Sequence, residues 1–566
     1  MLAILHQQWP RIGFDWSYFL PRLVDVHLHY LCSGVSVQWF TPSFGGGLPG
    51  FPNPQHTQFT IAALLLPFTD PWAATVLQYL LPASLGYLIL IRFCLESQGM
   101  RSWTSIVVAS IFSTNSFLII HELTGHLSCT TFSLVAVVPL CLSRRIPALA
   151  AVVIYAGAGS LILVGGGHTI IIAYVLTAGL LAAGLPAWDD LEFPAIRAWV
   201  VATTGTLLIL LICAAKIVAV GLFMAQFHRD MEYRHPAHNF FRAMLSIPSG
   251  MFAFRPMWLV DRAGMDLVSG WLHKAFPADL VDYGMSPAAL LLAPIGLLAF
   301  LRRAMARASR TQLVLILVTV WITVEFTLGR GLIWPLIKPL PFVRALHENP
   351  DFGSAFILPV SLLSGVGLER IFSTVTRGLA RHALTACLLA ISLISILPFR
   401  SQTPGFWYSG FDSTETLRNW GSVRRGERFV PITRISAVRD AEVFSSLSSS
   451  WKPYDAMFGY GYGGPAFRTR LVPGPIDVPG HNSLNFNLPT AFFFPSRFGQ
   501  VPFQPATIQD RPQVSLLLNR IQPDWRMPLE QRIGNLISAA AMAACLIAMA
   551  SVVIKGRSTR PPKPSG

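Results

Sequence analysis

Long apolar runs, each closed by a short polar or basic stretch, set the rhythm of this chain. A bilayer core takes roughly 20 mostly apolar residues per helix. The runs that meet this are 73–93, 103–120, 146–165, 168–185, 198–224, 312–328, 353–372, 382–398 and 534–554. Two shorter runs, 131–143 and 287–301, join them if flanking residues extend the helices or the helices tilt. The pattern predicts an all-α polytopic membrane protein with about eleven transmembrane helices.

Short loops carry the orientation signal. Arg144 and Arg145 lie in one, and Arg302, Arg303, Arg307 and Arg310 in another. Arg370, Arg377 and Arg381 flank a third, and Lys555, Arg557, Arg560 and Lys563 follow the last run. With every helix counted, these clusters fall on one side, which the positive-inside bias makes cytoplasmic. The tail 555–566 is then a cytoplasmic basic tail after a final transmembrane helix at 534–554. An odd number of crossings puts residues 1–72 outside, although no apolar run precedes them. A first helix encoded upstream of Met1 is the expected explanation.

The same parity places 1–72, 121–130, 225–286, 329–352 and 399–533 on the external face, around a helical core over 73–398. Segment 399–533 is rich in Gly, Pro, Ser and aromatic residues and has no long apolar run. It reads as a small external β-rich or irregular domain. The end, 560–566, reads as a disordered tail.

Composition agrees with lipid rather than water as the main solvent. Hydrophobic residues make up 52% of the chain and charged residues 13%, with a mean hydropathy of +0.51. Soluble domains carry roughly 25% charge. A net charge of +15 would raise nucleic acid as a partner in a soluble protein. Here the basic residues sit between apolar runs, so no nucleic-acid partner is expected. Seven cysteines without paired spacing argue against a disulfide scaffold or a CxxC metal site.

Chemistry-bearing residues concentrate in the outer segments. Residues 14–29 read FDWSYFLPRLVDVHLH. A helix starting near Pro21 puts Arg22, Asp25 and His29 on one face and Leu20, Leu23, Val24, Leu28 and Leu31 on the other. That is an amphipathic helix at the membrane surface, with its polar face toward water or a cleft. Asp15 stands just before it. A loop dense in Gly and Pro follows, from Trp39 to Gln55, which either binds a ligand through its backbone or serves as a structural re-entrant loop. His121-Glu122-Leu123-Thr124-Gly125-His126 fails the HExxH test, because histidines five apart lie about 140° round a helix. No metal set is read from it; His126, after a glycine at a helix end, is a candidate for binding a polar substrate.

Lys216 and Glu325 interrupt apolar runs, and ionisable groups inside a bilayer default to functional hypotheses. Lys216 could snorkel outward or offer a cation to a lipid-linked phosphate. Further outer groups are Phe227-His228-Arg229 with Tyr233 and Arg234; Arg330, Lys338, Arg344 and His347; and Trp451, Tyr454 and Asp455 before Gly459–Gly464. Aromatic rings beside charged groups suit sugar stacking and hydroxyl binding.

An outer Asp after the expected first helix, an aromatic-Gly-Pro loop, an interfacial helix and a Gly-His at the end of a later helix resemble the GT-C membrane glycosyltransferases. The closer likeness is to their large bacterial polytopic branch, to which Leu340-Pro341-Phe342-Val343-Arg344 is also similar. The resemblance implies a polyprenyl-phosphate-linked sugar as donor and transfer to an envelope glycan or lipid acceptor on the outer face of the bacterial inner membrane. By position it assigns the general base to Asp15, with Asp25 in reserve. Donor and acceptor binding fall to Arg22, His29, His126, Lys216, Arg229 and Arg344. A polymerase of lipid-linked oligosaccharides would differ only in acceptor. A transporter or flippase for a lipid-linked glycan is the alternative, but it would place polar sites near the bilayer midplane.

Overall fold

The computed structural model describes residues 15–44, 48–189, 191–224, 240–252, 284–340, 343, 349–375, 378–395, 413–425, 427 and 527–558, with short pieces between 434 and 521. Within these residues the protein is overwhelmingly helical. Helix α1 is Trp16–Ser33; α2, Pro71–Glu96; α3, Ser102–Ser113; and α4, Ser116–Thr124. A 3₁₀ stretch, Leu127–Ala136, runs into α5, Val137–Leu142. Then come α6 (Ala148–Val164), α7 (His168–Trp188), α8 (Ala195–Ile212), α9 (Ala214–Met224) and α10 (Phe240–Phe252). The second half holds α11 (Pro287–Arg307), α12 (Arg310–Leu328), α13 (Ile357–Thr374), α14 (Gly378–Ile394), α15 (Ser413–Arg424) and α16 (Leu529–Ser558).

Among the described residues, seven helices are long and apolar enough to cross a membrane, and α3 with α4 makes an eighth if that bent pair is one span. The remaining apolar helices, Leu127–Leu142, Ala148–Val164 and Gly378–Ile394, are shorter. The run 103–120 breaks by 44° because Asn115 leaves the helix and caps α4, its side chain accepting from the Leu118 amide. The run 198–224 breaks at Cys213, between α8 and α9. Of the expected β-rich character in 399–533, the described residues show α15 and three strands of two or three residues.

Lipid is the solvent the surface calls for. Leu80, Leu81, Leu85 and Leu88 of α2 are exposed, as are Leu207, Leu210 and Leu211 of α8 and Leu536, Leu546 and Ile547 of α16. Only 11% of the Leu529–Val552 window is buried. In water that apolar surface would be a severe aggregation liability; in hydrocarbon it carries no such cost.

Inside, small residues let helix backbones meet. Gly296 of α11 and Gly367 of α13 face each other so closely that a Cβ on either would overlap a carbonyl of the opposite helix, Leu363 or Leu292 respectively. Gly86 of α2 lies in the same way against the Ser133 carbonyl. This is the packing expected where dispersion, rather than water exclusion, holds helices together.

The loops gather at two ends. At one, Arg101 pairs with Glu369 at 2.8 Å, Arg145 pairs with Glu192 at 3.1 Å and also reaches the Glu96 carbonyl, and Arg303 lies over Trp188. At the other, α1, the segment 34–70, the turn at 125–131 and the 165–168 turn come together. Gly166 abuts Gln55, and Arg424 of α15 reaches the Phe68 carbonyl. Among the described residues, Arg101, Arg145 and Arg303 therefore lie at the end opposite to α1 and the segment 34–70.

Candidate functional site

Helix α1 begins at Trp16, with Asp15 as its N-cap and Pro21 inside it, not at its start. Nor does it lie exposed on a surface. Its apolar face (Leu20, Leu23, Val24, Leu28) is buried, and so is its polar face: Arg22, Asp25 and His29 are each at most 5% exposed. Burying three ionisable groups requires partners, and the segment 36–44, which leads into the Gly/Pro loop, supplies most of them.

Asp25 is the centre of that network. It accepts from Gln38 Nε2 at 2.7 Å, from the Ser43 hydroxyl, and from Arg520 Nη1 at 2.7 Å. The Arg520–Asp25 ion pair is 2% exposed on both sides. Arg22 donates to the Tyr18 carbonyl and stacks its guanidinium over the Tyr18 and Phe44 rings. His29 Nε2 meets Ser36, and burial lowers its pKa below the ordinary value. His56 bonds Gln38 through Nε2 and is pushed lower still, by burial first and by the Lys216 charge second.

The loop itself is a short hairpin, Phe40–Thr41 with Leu48–Pro49, then a series of turns. Gly50 is needed there because a Cβ would collide with the Gln38 carbonyl and His56. Lys216 of α9 holds the loop from below, donating to the carbonyls of Phe51 and Asn53, each at 2.6 Å. It therefore neither snorkels to water nor stands open to a phosphate. Asn53 in turn donates to the Tyr18 hydroxyl. Of the two roles the sequence left open for the Gly/Pro stretch, the structural one accounts for these bonds.

A second cluster sits at the N-terminal end of α1. Gly125 takes a left-handed turn, φ +89°, and Trp16 lies where its Cβ would be. That close approach brings Asp15 against His126, whose Nε2 contacts the carboxylate. Burial would lower the His126 pKa, but the Asp15 charge and hydrogen bond outweigh it and hold the imidazole well above its ordinary value. Both side chains remain partly open, 17% for Asp15 and 26% for His126. His121 and Cys129 complete the cluster: one ligand atom from each of His121, His126 and Cys129 lies within 4.8 Å of the others. Trp72 stands beside Trp16, ring centroids 5.6 Å apart.

The structure thus joins Asp15 to His126, and Arg22, Asp25 and His29 to the segment 36–44 at the start of the Gly/Pro loop, with Lys216 beneath the loop. The two groups stand at different points along α1: ten residues of helix rise by about 15 Å, and the faces differ by about 80°. Arg229 and Arg344 lie outside the described residues, as do His228, Tyr233, Arg234, His347, Trp451, Tyr454, Asp455 and Gly459–Gly464. Glu325 is a latch: its carboxylate accepts the amides of Leu332, Ile333 and Trp334, fixing the chain that follows α12. Arg520 and Cys129 were not legible as site residues, since nothing local marks either one. No family model, curated protein or solved structure matches the chain.

Proposed function

We propose that this chain is a membrane glycosyltransferase that moves a sugar from a polyprenyl-phosphate donor to an acceptor hydroxyl of an envelope glycan or lipid. The reading includes a topology. The seven long helices, the bent pair and the three shorter apolar helices make eleven crossings. The basic end faces the bacterial cytoplasm and the α1 end faces outward.

The observation that carries the reading is Asp15: a partly open carboxylate at the outer end, anchored through one oxygen by His126. In the reaction, the acceptor hydroxyl gives its proton to Asp15 as its oxygen bonds the sugar C1. The C1–O bond to the phosphate breaks, and its electron pair leaves on the lipid phosphate. A base must be ionised and in hydrogen-bond reach of the hydroxyl, with geometry fixed beforehand; His126 supplies that fixing. Arg520, the buried partner of Asp25, belongs to the other cluster and is not assigned to the leaving phosphate.

The test is transfer in proteoliposomes, following release of polyprenyl phosphate from a radiolabelled polyprenyl-phosphate sugar. Asp15→Asn keeps the size and removes the base, and should cost about 10²–10⁴ in rate at unchanged membrane abundance. Full activity in that variant removes Asp15 from the mechanism and leaves the transferase reading without its main support.

A further inference from the structure

Three side chains that could each be dismissed singly converge at the turn after α4. His121 is on its last turn, His126 follows the left-handed Gly125, and Cys129 is the third residue of the 3₁₀ stretch. Two backbone bonds make the turn compact: the His126 amide donates to the His121 carbonyl at 2.8 Å, and the Cys129 amide to the His126 carbonyl at 2.9 Å.

The hydrogen bonds also fix which ring nitrogen faces inward. His121 Nδ1 lies 2.8 Å from the Phe117 carbonyl, which can only accept, so Nδ1 carries hydrogen and Nε2 carries the lone pair. His126 Nε2 is held by the Asp15 carboxylate, which leaves Nδ1 for the interior, and that Nδ1 lies 4.0 Å from Cys129 Sγ. A histidine tied by its outer nitrogen to a backbone carbonyl, and another tied to a carboxylate, are the supports that ligating imidazoles have in protein metal sites. Bond lengths of about 2.3 Å to sulfur and 2.0 Å to nitrogen put tetrahedral ligand atoms about 3.5 Å apart. Here His126 Nδ1 and Cys129 Sγ lie 4.0 Å apart and the three ligand atoms lie within 4.8 Å of one another, so an ion would draw them together.

We infer that His121 Nε2, His126 Nδ1 and Cys129 Sγ form a binding site for a borderline-soft divalent cation of the zinc class, with Asp15 as the outer partner of His126. Two imidazoles and a thiolate select against magnesium and calcium, which take oxygen ligands. Binding displaces the thiol proton and the proton on His126 Nδ1. Three protein ligands leave a fourth position for water or another oxygen. The site does not depend on the glycosyltransferase reading.

The full-length chain in detergent, stripped with chelator and titrated with zinc chloride against a chromophoric competitor, should take up about one zinc per chain. Cys129→Ser and His121→Gln should each weaken binding by at least about 100-fold, and Asp15→Asn, which removes only the outer partner, by about 10–100-fold. Cys32→Ser serves as the control and should change nothing. Cobalt in place of zinc should give thiolate-to-metal charge-transfer absorption that Cys129→Ser abolishes. Absence of stoichiometric zinc in the parent chain, or a Cys129→Ser variant that binds as tightly as the parent, overturns the inference. If the variants fail to elute as monodisperse protein, the cobalt spectrum of the parent decides, since a chain without sulfur ligation shows no such band. A chain that binds zinc yet transfers no sugar sinks the transferase reading alone; one that transfers sugar and binds no zinc sinks only the metal site.

Discussion

Lys216 Nζ and the Asn53 carbonyl oxygen lie 2.6 Å apart, a bond from a helix of the apolar core to the floor of the Gly/Pro loop. The same ammonium reaches the Phe51 carbonyl and sits 4.9 Å from the centre of the Phe51 ring. A buried charge is tolerated here because carbonyl dipoles and an aromatic face surround it. The bond makes the loop part of the membrane core rather than a flap above it.

Lys216→Met should therefore destabilise the protein. It strands two buried carbonyls, each costing about 1–3 kcal/mol when left unpaired, while the methionine keeps most of the packing. Thermal unfolding in detergent should show a clear fall in midpoint. An unchanged midpoint would mean that water replaces the ammonium and that the loop is not held through it.

The Arg520–Asp25 pair joins residues 495 positions apart in sequence and is enclosed on both sides. Removing one partner of such a pair leaves an uncompensated buried charge, typically a loss of about 3–5 kcal/mol. Asp25→Asn and Arg520→Met should each lower stability by that order. The double variant should lose less than the sum, because neither charge is then stranded. Additive losses would show that the two do not interact in the folded protein.

Much of the helical order was readable from apolar runs, since lipid-facing helices must be long and apolar wherever they occur. What hydropathy could not read were the breaks. A run such as 198–224 stays apolar straight through Cys213, although the helix is interrupted there. Pro21 looked like a helix start, yet α1 continues through it from Trp16. The polar face Arg22-Asp25-His29 was visible from its spacing; that it turns inward was not, because its partners Gln38, Ser43 and Arg520 belong to other segments. On a continuous helix His121 and His126 would lie about 140° apart. The left-handed Gly125 ends the helix between them and folds the second histidine back.

The α11–α13 crossing depends on Gly296 and Gly367, each facing the other helix's backbone. Gly367→Leu should force the helices apart, at a cost of about 1–3 kcal/mol by ordinary overpacking and with reduced membrane yield. Gly157, with nothing near its would-be Cβ, is the matched control: Gly157→Ala should be neutral or slightly favourable, because alanine suits a helix better than glycine. Equal losses at both sites would refute the close-crossing account.

The last prediction concerns acid. His27 lies on α1, which is not among the membrane-spanning helices, and its ring packs 4.8 Å from that of Trp420 on α15. It is 3% exposed, and neither ring nitrogen has a hydrogen-bond partner in the described structure. Burial, and then the positive charge of Arg424, push its pKa down to about 4 from the ordinary 6.5. A depressed histidine pKa means the unfolded chain takes up its proton first. The contribution is therefore constant above about pH 7 and is lost progressively as pH falls from about 6.5 toward 4. One pKa unit corresponds to about 1.4 kcal/mol, so the loss from this residue approaches about 3 kcal/mol at the acid end. His29 and His56 are lowered as well and steepen the same decline. Unfolding midpoints measured from pH 8 to pH 4 should drop mainly below 6.5. His27→Phe should keep the packing on Trp420 and flatten the slope by up to one proton, leaving the part due to the other two histidines. A slope in the variant equal to that of the parent would show that His27 is not held neutral in the folded protein.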